Sequence, residues 1–238
     1  MGRGAPSTAG RRAIESERTA GVARRSVGVV FVLRAIGTLD AVPTHSLPLT
    51  GDAEADALLS ADPLALLIGM LLDQQVPMEK AFRGPYDLKE RMGGRLDAGE
   101  IAEYDSEELA AVFRGPPALH RYPASMAGRT QELCRVLVER FDGDAASVWT
   151  SAETGRQLFD NLKSLPGFGE QKARIFTALL AKRVGITPPG WEDVAGPYGA
   201  VGHFSVADID GPDALAAVRE HKKAMKAAAK AGPTPATS

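Results

Sequence analysis

Residues 64–72, Leu-Ala-Leu-Leu-Ile-Gly-Met-Leu-Leu, contain no polar side chain. A helix over this run is apolar on every face, so it is stable only when other elements surround it. Asp62-Pro63 supplies an N-cap and a first helical residue just before the run, and Asp73-Gln74-Gln75 ends it in polar groups. The chain is therefore expected to build around a central buried helix. Hydrophobic residues make up 44% of it and aromatics only 6%, with Leu and Ala dominant, a balance that favours helices over a β-sandwich.

Further helices follow from caps and periodicity. Thr50-Gly51-Asp52 offers caps for a helix along Ala53, Ala57 and Leu58, and Val76-Pro77 opens another through Phe82. Residues 83–100 carry glycines and Pro85, which predict a connection or a short helix from Tyr86 to Met92. Asp105 caps a helix containing Leu109 and Val112. Met126, Leu133, Val136, Leu137 and Phe141 form one helical stripe, and residues 154–164, 170–184 and 206–226 read as helix. No stretch alternates as a strand does, and no internal repeat is visible. The fold class is all-α.

The ends differ from the middle. Residues 1–44 hold seven Arg, no Lys and three acids without helical period, and read as disordered or as a non-native extension. They could serve as a basic arm or reflect a start placed too far upstream. Residues 227–238 read as a frayed basic tail, which leaves 45–226 as the folded domain. The run Val27–Leu33 is shorter than the ~20 residues of a spanning helix. No membrane association is expected. The single cysteine, Cys134, excludes an intrachain disulfide and any all-cysteine metal site, and it fits a reducing cytoplasm. A net charge of −2 gives no global nucleic-acid signature, so any such binding must come from local groups.

One local group stands out. Leu165-Pro166-Gly167-Phe168-Gly169 places two glycines in a tight apolar turn between two helices. Such a turn presents bare N–H groups at a helix N-terminus, where an anion binds. Together with Lys172 and Ala173 after it, and with Leu71-Leu72-Asp73-Gln74-Gln75 about 90 residues before it, this turn resembles the helix-hairpin-helix DNA glycosylases. That is the superfamily of endonuclease III and 3-methyladenine glycosylase II. The resemblance covers roughly Leu49 to Trp191. It implies two packed helical subdomains with a hairpin, acting as a monomer on double-stranded DNA in base-excision repair.

The resemblance also implies roles. The backbone of Gly167, Phe168 and Gly169 would grip a DNA phosphate, with Lys172 as a second contact and a monovalent cation on the carbonyls of the same turn. Gln75 would face the gap left by a flipped base, since the scissile bond is unreachable inside the stack. Members with lyase activity carry a lysine two places after the second glycine, where this chain has Gln171. Lys172 is one place further, about 100° round the helix, so the expected enzyme is a glycosylase without a lyase step. The aspartate of the family falls where this chain has Pro189, Gly190 and Trp191. Asp193 is the nearest acid and the candidate catalytic residue, with Glu192 and Asp73 behind it. Trp191, Tyr198 and Phe204 could line a base pocket or simply pack in the core. An iron–sulfur cluster is excluded by the cysteine count, and no other cofactor or metal is expected. Two other readings fit the same turn: a non-catalytic module for distorted or branched DNA, and a helical interaction protein without a nucleic-acid role.

Overall fold

A computed structural model describes residues 46–231 of the chain, with side-chain surroundings defined through Lys226 and Ala227 in the last helix. The all-apolar run forms α2 (Pro63–Leu72), and every residue from Leu64 to Leu72 is buried. Asp62 caps it by accepting the N–H groups of Leu64 at 2.9 Å and Ala65 at 3.2 Å. Three helices wrap it: α1 (Ala53–Ala61), α3 (Met78–Arg91) and, further along the chain, α6 (Pro123–Phe141). Between these lie α4 (Ala98–Glu103) and α5 (Ser106–Arg114), capped by Asp97 and Asp105 and packed on α6.

The second half runs α7 (Ser147–Thr150), α8 (Gly155–Lys163), α9 (Glu170–Leu179), α10 (Trp191–Ala195) and α11 (Pro212–Ala231). A π-helical turn, Leu180–Val184, extends α9, and Gly185 at φ +79° ends it. Helices α7 to α10 pack among themselves, as α1 to α6 do. The expected two subdomains are nevertheless joined: buried side chains from Leu47 to Val218 form one continuous core. No strand occurs among the described residues. No single helix among them is long and apolar enough to cross a membrane; α1 and α2 pass that test only as a pair bent by 114°.

Three boundaries differ from the sequence pattern. Pro85 does not interrupt α3, which runs unbroken from Met78 to Arg91. Its apolar face buries Phe82, Pro85 and Leu88, and this packing outweighs the one backbone bond that a proline removes. The expected helix over 206–226 is two pieces. Val206–Asp208 is a single 3-10 turn closed by Ser205 and Asp208, and α11 starts afresh at Pro212 after Gly211. At its far end α11 continues to Ala231, past the expected tail boundary at Ala227. The expectation for residues 1–44 lies outside the described residues. Cys134 is fully buried on α6, and burial pushes its thiol up to about 12, so it is an inert core residue.

Gly155 marks a close backbone-to-backbone joint in the second half. Its N–H donates to Pro189 O at 2.8 Å. A Cβ there would come within 2.5 Å of Gly190 C and Trp191 Cα, backbone atoms that cannot turn aside. Gly155→Ala is therefore expected to lower stability by about 1–3 kcal/mol, measured by chemical denaturation, by forcing α10 off the start of α8.

Candidate nucleic-acid interface

The turn between α8 and α9 is built by its apolar residues. Leu165 and Phe168 are each 3% exposed, and Phe168 meets Phe176 edge-on at 5.9 Å between ring centroids. The Phe168 N–H donates to Leu165 O at 3.0 Å. Phe168 thus has neither a side chain nor an N–H left for a ligand, and its part in the turn is to anchor it. The two glycines do different things. Gly167 sits at φ +79°, and a Cβ on it would overlap Leu71 Cδ1, so the fold itself requires glycine there. Gly169 sits at φ −73° and ψ 174°, open to any residue, and a Cβ there would meet nothing within 4 Å. The free fold does not need glycine at 169.

What Gly169 leaves open is the N-terminus of α9. The N–H groups of Gly167, Gly169, Glu170, Gln171 and Lys172 have no acceptor among the described residues. Ala173 is the first whose N–H is taken, by Gly169 O at 2.9 Å. Four of these donors, Gly169 to Lys172, lie at the positive end of a helix dipole. Glu170 is the acid nearest to it, and Arg174 at 2.9 Å holds its carboxyl below the usual range, with Lys163 at 3.9 Å adding to the effect. The carbonyls of Pro166, Gly167 and Phe168 likewise accept nothing among the described residues, which leaves oxygen donors for a monovalent cation.

Lys172 points elsewhere. Its Nζ donates to Met70 O at 2.5 Å and Leu71 O at 2.9 Å, the last turn of α2, and stacks over the Phe168 ring at 5.8 Å. It is a tie between two helices, and two of its three N–H donors are taken there, so only the third is left for the phosphate contact expected of it. Burial pulls its ammonium down to about 8, a trend that Arg129 reinforces and Asp73 opposes. The remaining carbonyls at the end of α2 are also matched. Gly69 O takes the Asp73 N–H, Leu72 O takes the Gln74 N–H, and Gln74 Nε2 donates to Leu71 O at 2.6 Å. Gln74 is therefore a cap, further fixed by Arg129 on its Oε1 at 3.0 Å.

Gln75 is not a cap. It is exposed, and its backbone lies at φ +56°, a left-handed conformation that costs a non-glycine residue about 1 kcal/mol or more. A buried histidine holds it there. Tyr122 N–H donates to His120 Nδ1 at 3.0 Å, so the ring proton is on Nε2, which donates to Gln74 O at 2.8 Å. Tyr122 is 43% exposed, with its hydroxyl 3.5 Å from Gln75 Oε1 and the Arg121 guanidinium over its ring at 5.4 Å. This knob of His120, Arg121, Tyr122 and Arg129 carries no motif and is invisible in the sequence; only its burial and contacts mark it.

Beside the turn lies a cleft of about 460 Å³. It is lined by Gln171 and Ile175 of α9, by Tyr198 and Phe204, by His221, Lys222 and Met225 of α11, and by Asp73. Gln171 Nε2 donates to Tyr198 OH at 3.0 Å, which leaves the tyrosine proton free. Tyr198 and Phe204 thus do line a pocket, whereas Trp191 packs at the start of α8. Asp193 and Glu192 are exposed on α10, and Asp193 neither lines this cleft nor makes a hydrogen bond among the described residues. The structure does not bring the expected acid to the pocket; the pocket's carboxylate is Asp73.

No protein-family model matches the chain, and no curated protein matches it. Among the described residues, no group of three His, Cys, Asp or Glu side chains is placed to hold a metal ion.

Two measurements test this geometry. Lys172 binds its proton less tightly folded than unfolded, where its ordinary value is 10.5, so the unfolded chain holds more protons between pH 8 and 10.5. Stability contributed by this group should therefore rise with pH across that window by about 1–3 kcal/mol, and Lys172→Met should lose the rise in denaturation curves taken at each pH. Gln75→Gly relieves the left-handed strain, so its unfolding free energy in chemical denaturation should stay level or rise by about 1 kcal/mol.

Proposed function

We propose that this protein is a monofunctional DNA glycosylase of base-excision repair, which hydrolyses the N-glycosidic bond of a damaged or deaminated base. One observation carries the reading: the first turn of α9 serves two surfaces at once. Its N–H donors at Gly169–Lys172 have no acceptor among the described residues and suit a phosphate, and Gln171 on the same turn lines a cleft of about 460 Å³. A cleft of this size, walled by Tyr198, Phe204 and His221 with a few polar groups in its lining, matches the usual form of a small-molecule site. It suits a flat, hydrogen-bonding base flipped from a duplex that the turn grips alongside. The helix-hairpin-helix likeness of the Leu165–Gly169 turn, the exposed strained Gln75 and the basic knob at Arg121 and Arg129 support the same function. Gln171 at the position of the lyase lysine, and Lys172 bound to carbonyls, support hydrolysis without strand cleavage.

The solvent position of Asp193 favours a second reading, a non-catalytic module for distorted or branched DNA. Duplexes carrying uracil, hypoxanthine, an alkylated purine or an oxidised purine separate the two. The glycosylase should release at least one of these bases and leave an abasic strand that breaks only after alkali; release from none of them leaves the binding module. The phosphate grip has its own test. Gly169→Asp supplies an N-cap and should hold or raise stability by a few tenths of a kcal/mol. Its carboxylate occupies the free N–H groups and repels phosphate, so duplex affinity by fluorescence anisotropy should fall by about tenfold or more.

A further inference from the structure

The position of Asp73 is hard to explain by stability. It follows the last residue of α2, where the helix dipole presents its negative end and disfavours an anion. Asp52, Asp62, Asp97 and Asp105 sit at helix N-termini and accept backbone N–H groups; Asp62 also ends α1, but its carboxylate is used in capping α2. Asp142 ends α6 but stands in solvent. The Asp73 side chain is 19% exposed, and its oxygens accept no hydrogen bond from any described donor. It forms a long ion pair with the half-exposed Lys222, whose Nζ lies 3.9 Å away, beyond hydrogen-bond range, and such an exposed pair adds little to stability. Lys172 is close enough to feel its charge, yet spends two of its donors on the carbonyls of Met70 and Leu71. A shielded carboxylate with free lone pairs thus projects into the cleft that Gln171, Tyr198 and Lys222 share.

We infer that Asp73, and no carboxylate after the hairpin, is the catalytic acid-base group of this cleft, facing the sugar of the flipped nucleotide. The inference rests on the glycosylase reading. In the reaction the C1′–N bond breaks and its electron pair leaves with the base. Water forms the new C1′–O bond, and its proton passes to Asp73 and on to the departing nitrogen, so the products are an abasic sugar and the free base. While the bond is breaking, the carboxylate also opposes the positive charge that develops on the sugar. Asp73 immediately precedes the Gln74-Gln75 turn, so the base-gap residue and the reacting carboxylate would move as one rigid unit at the end of α2.

The test uses the full-length protein and the lesion duplex that the wild type processes fastest, in single-turnover reactions. Asp73→Asn should bind this duplex as the wild type does and release base about 10²–10⁴-fold more slowly. Asp142→Asn should react at the wild-type rate. Asp73→Asn should also melt at the same temperature or higher, because it removes an anion from a helix C-terminus. An Asp73→Asn protein that retains the wild-type rate, or one that loses rate only in step with a lower melting temperature, overturns the inference and leaves the glycosylase reading standing. Loss of rate in Asp193→Asn with Asp73→Asn intact does the same. A wild-type protein that binds the duplexes and releases no base overturns the glycosylase reading itself, and the role of Asp73 falls with it.

Discussion

The tie from Lys172 to the carbonyls of Met70 and Leu71 is the interaction on which the rest of the candidate site depends. An α-helix ends with carbonyls that have no partner of their own, and α2 ends inside the protein, where an unmatched carbonyl is costly. A lysine from α9 supplies part of what is missing. The same contact brings the α8–α9 turn against Leu71, sets Gln74 and Gln75 at its edge and leaves Asp73 facing the cleft. Residues that lie 101 and 102 positions apart in the chain are tied together through a single ammonium group.

The two glycines of the turn show how one motif serves two masters. Gly167 answers to the interior: its positive φ and its contact with Leu71 leave no room for a side chain. Gly169 answers to the outside: its backbone would accept any residue and its Cβ direction is empty, yet the N–H groups beyond it are unmatched. An unforced glycine next to unmatched donors is the local pattern expected where a ligand's oxygens approach the backbone closely. Gln75 repeats the pattern in another form, a strained backbone held by His120 with an exposed amide at its tip.

Much of this was legible in the chain. The apolar run Leu64–Leu72 required a central helix, and Asp62, Asp105 and Thr154 marked where helices begin, because capping depends on residues within one turn. The turn at 165–169 could be located for the same reason. Other features were not legible. Pro85 reads as a break, and only the burial of α3 against α2 keeps its helix whole. Lys172 reads as a second phosphate contact, and only the end of α2 makes it a buried clamp. Asp193 is near the expected place along the chain, but sequence distance does not measure distance to a pocket, and α10 carries it into solvent.

By itself, then, the sequence determined an all-helical protein with a buried central helix and a glycine turn fit for an anion, since these depend on side-chain character and neighbours within a turn or two. Only the tertiary structure decided which polar groups meet. It turned Lys172 inward, buried Phe168, set Asp193 outside and gave Asp73 the cleft. The physical reason is that the direction a polar group faces is settled by what must be satisfied around it. The unmatched carbonyls of α2 lie far from Lys172 in the chain and next to it in space.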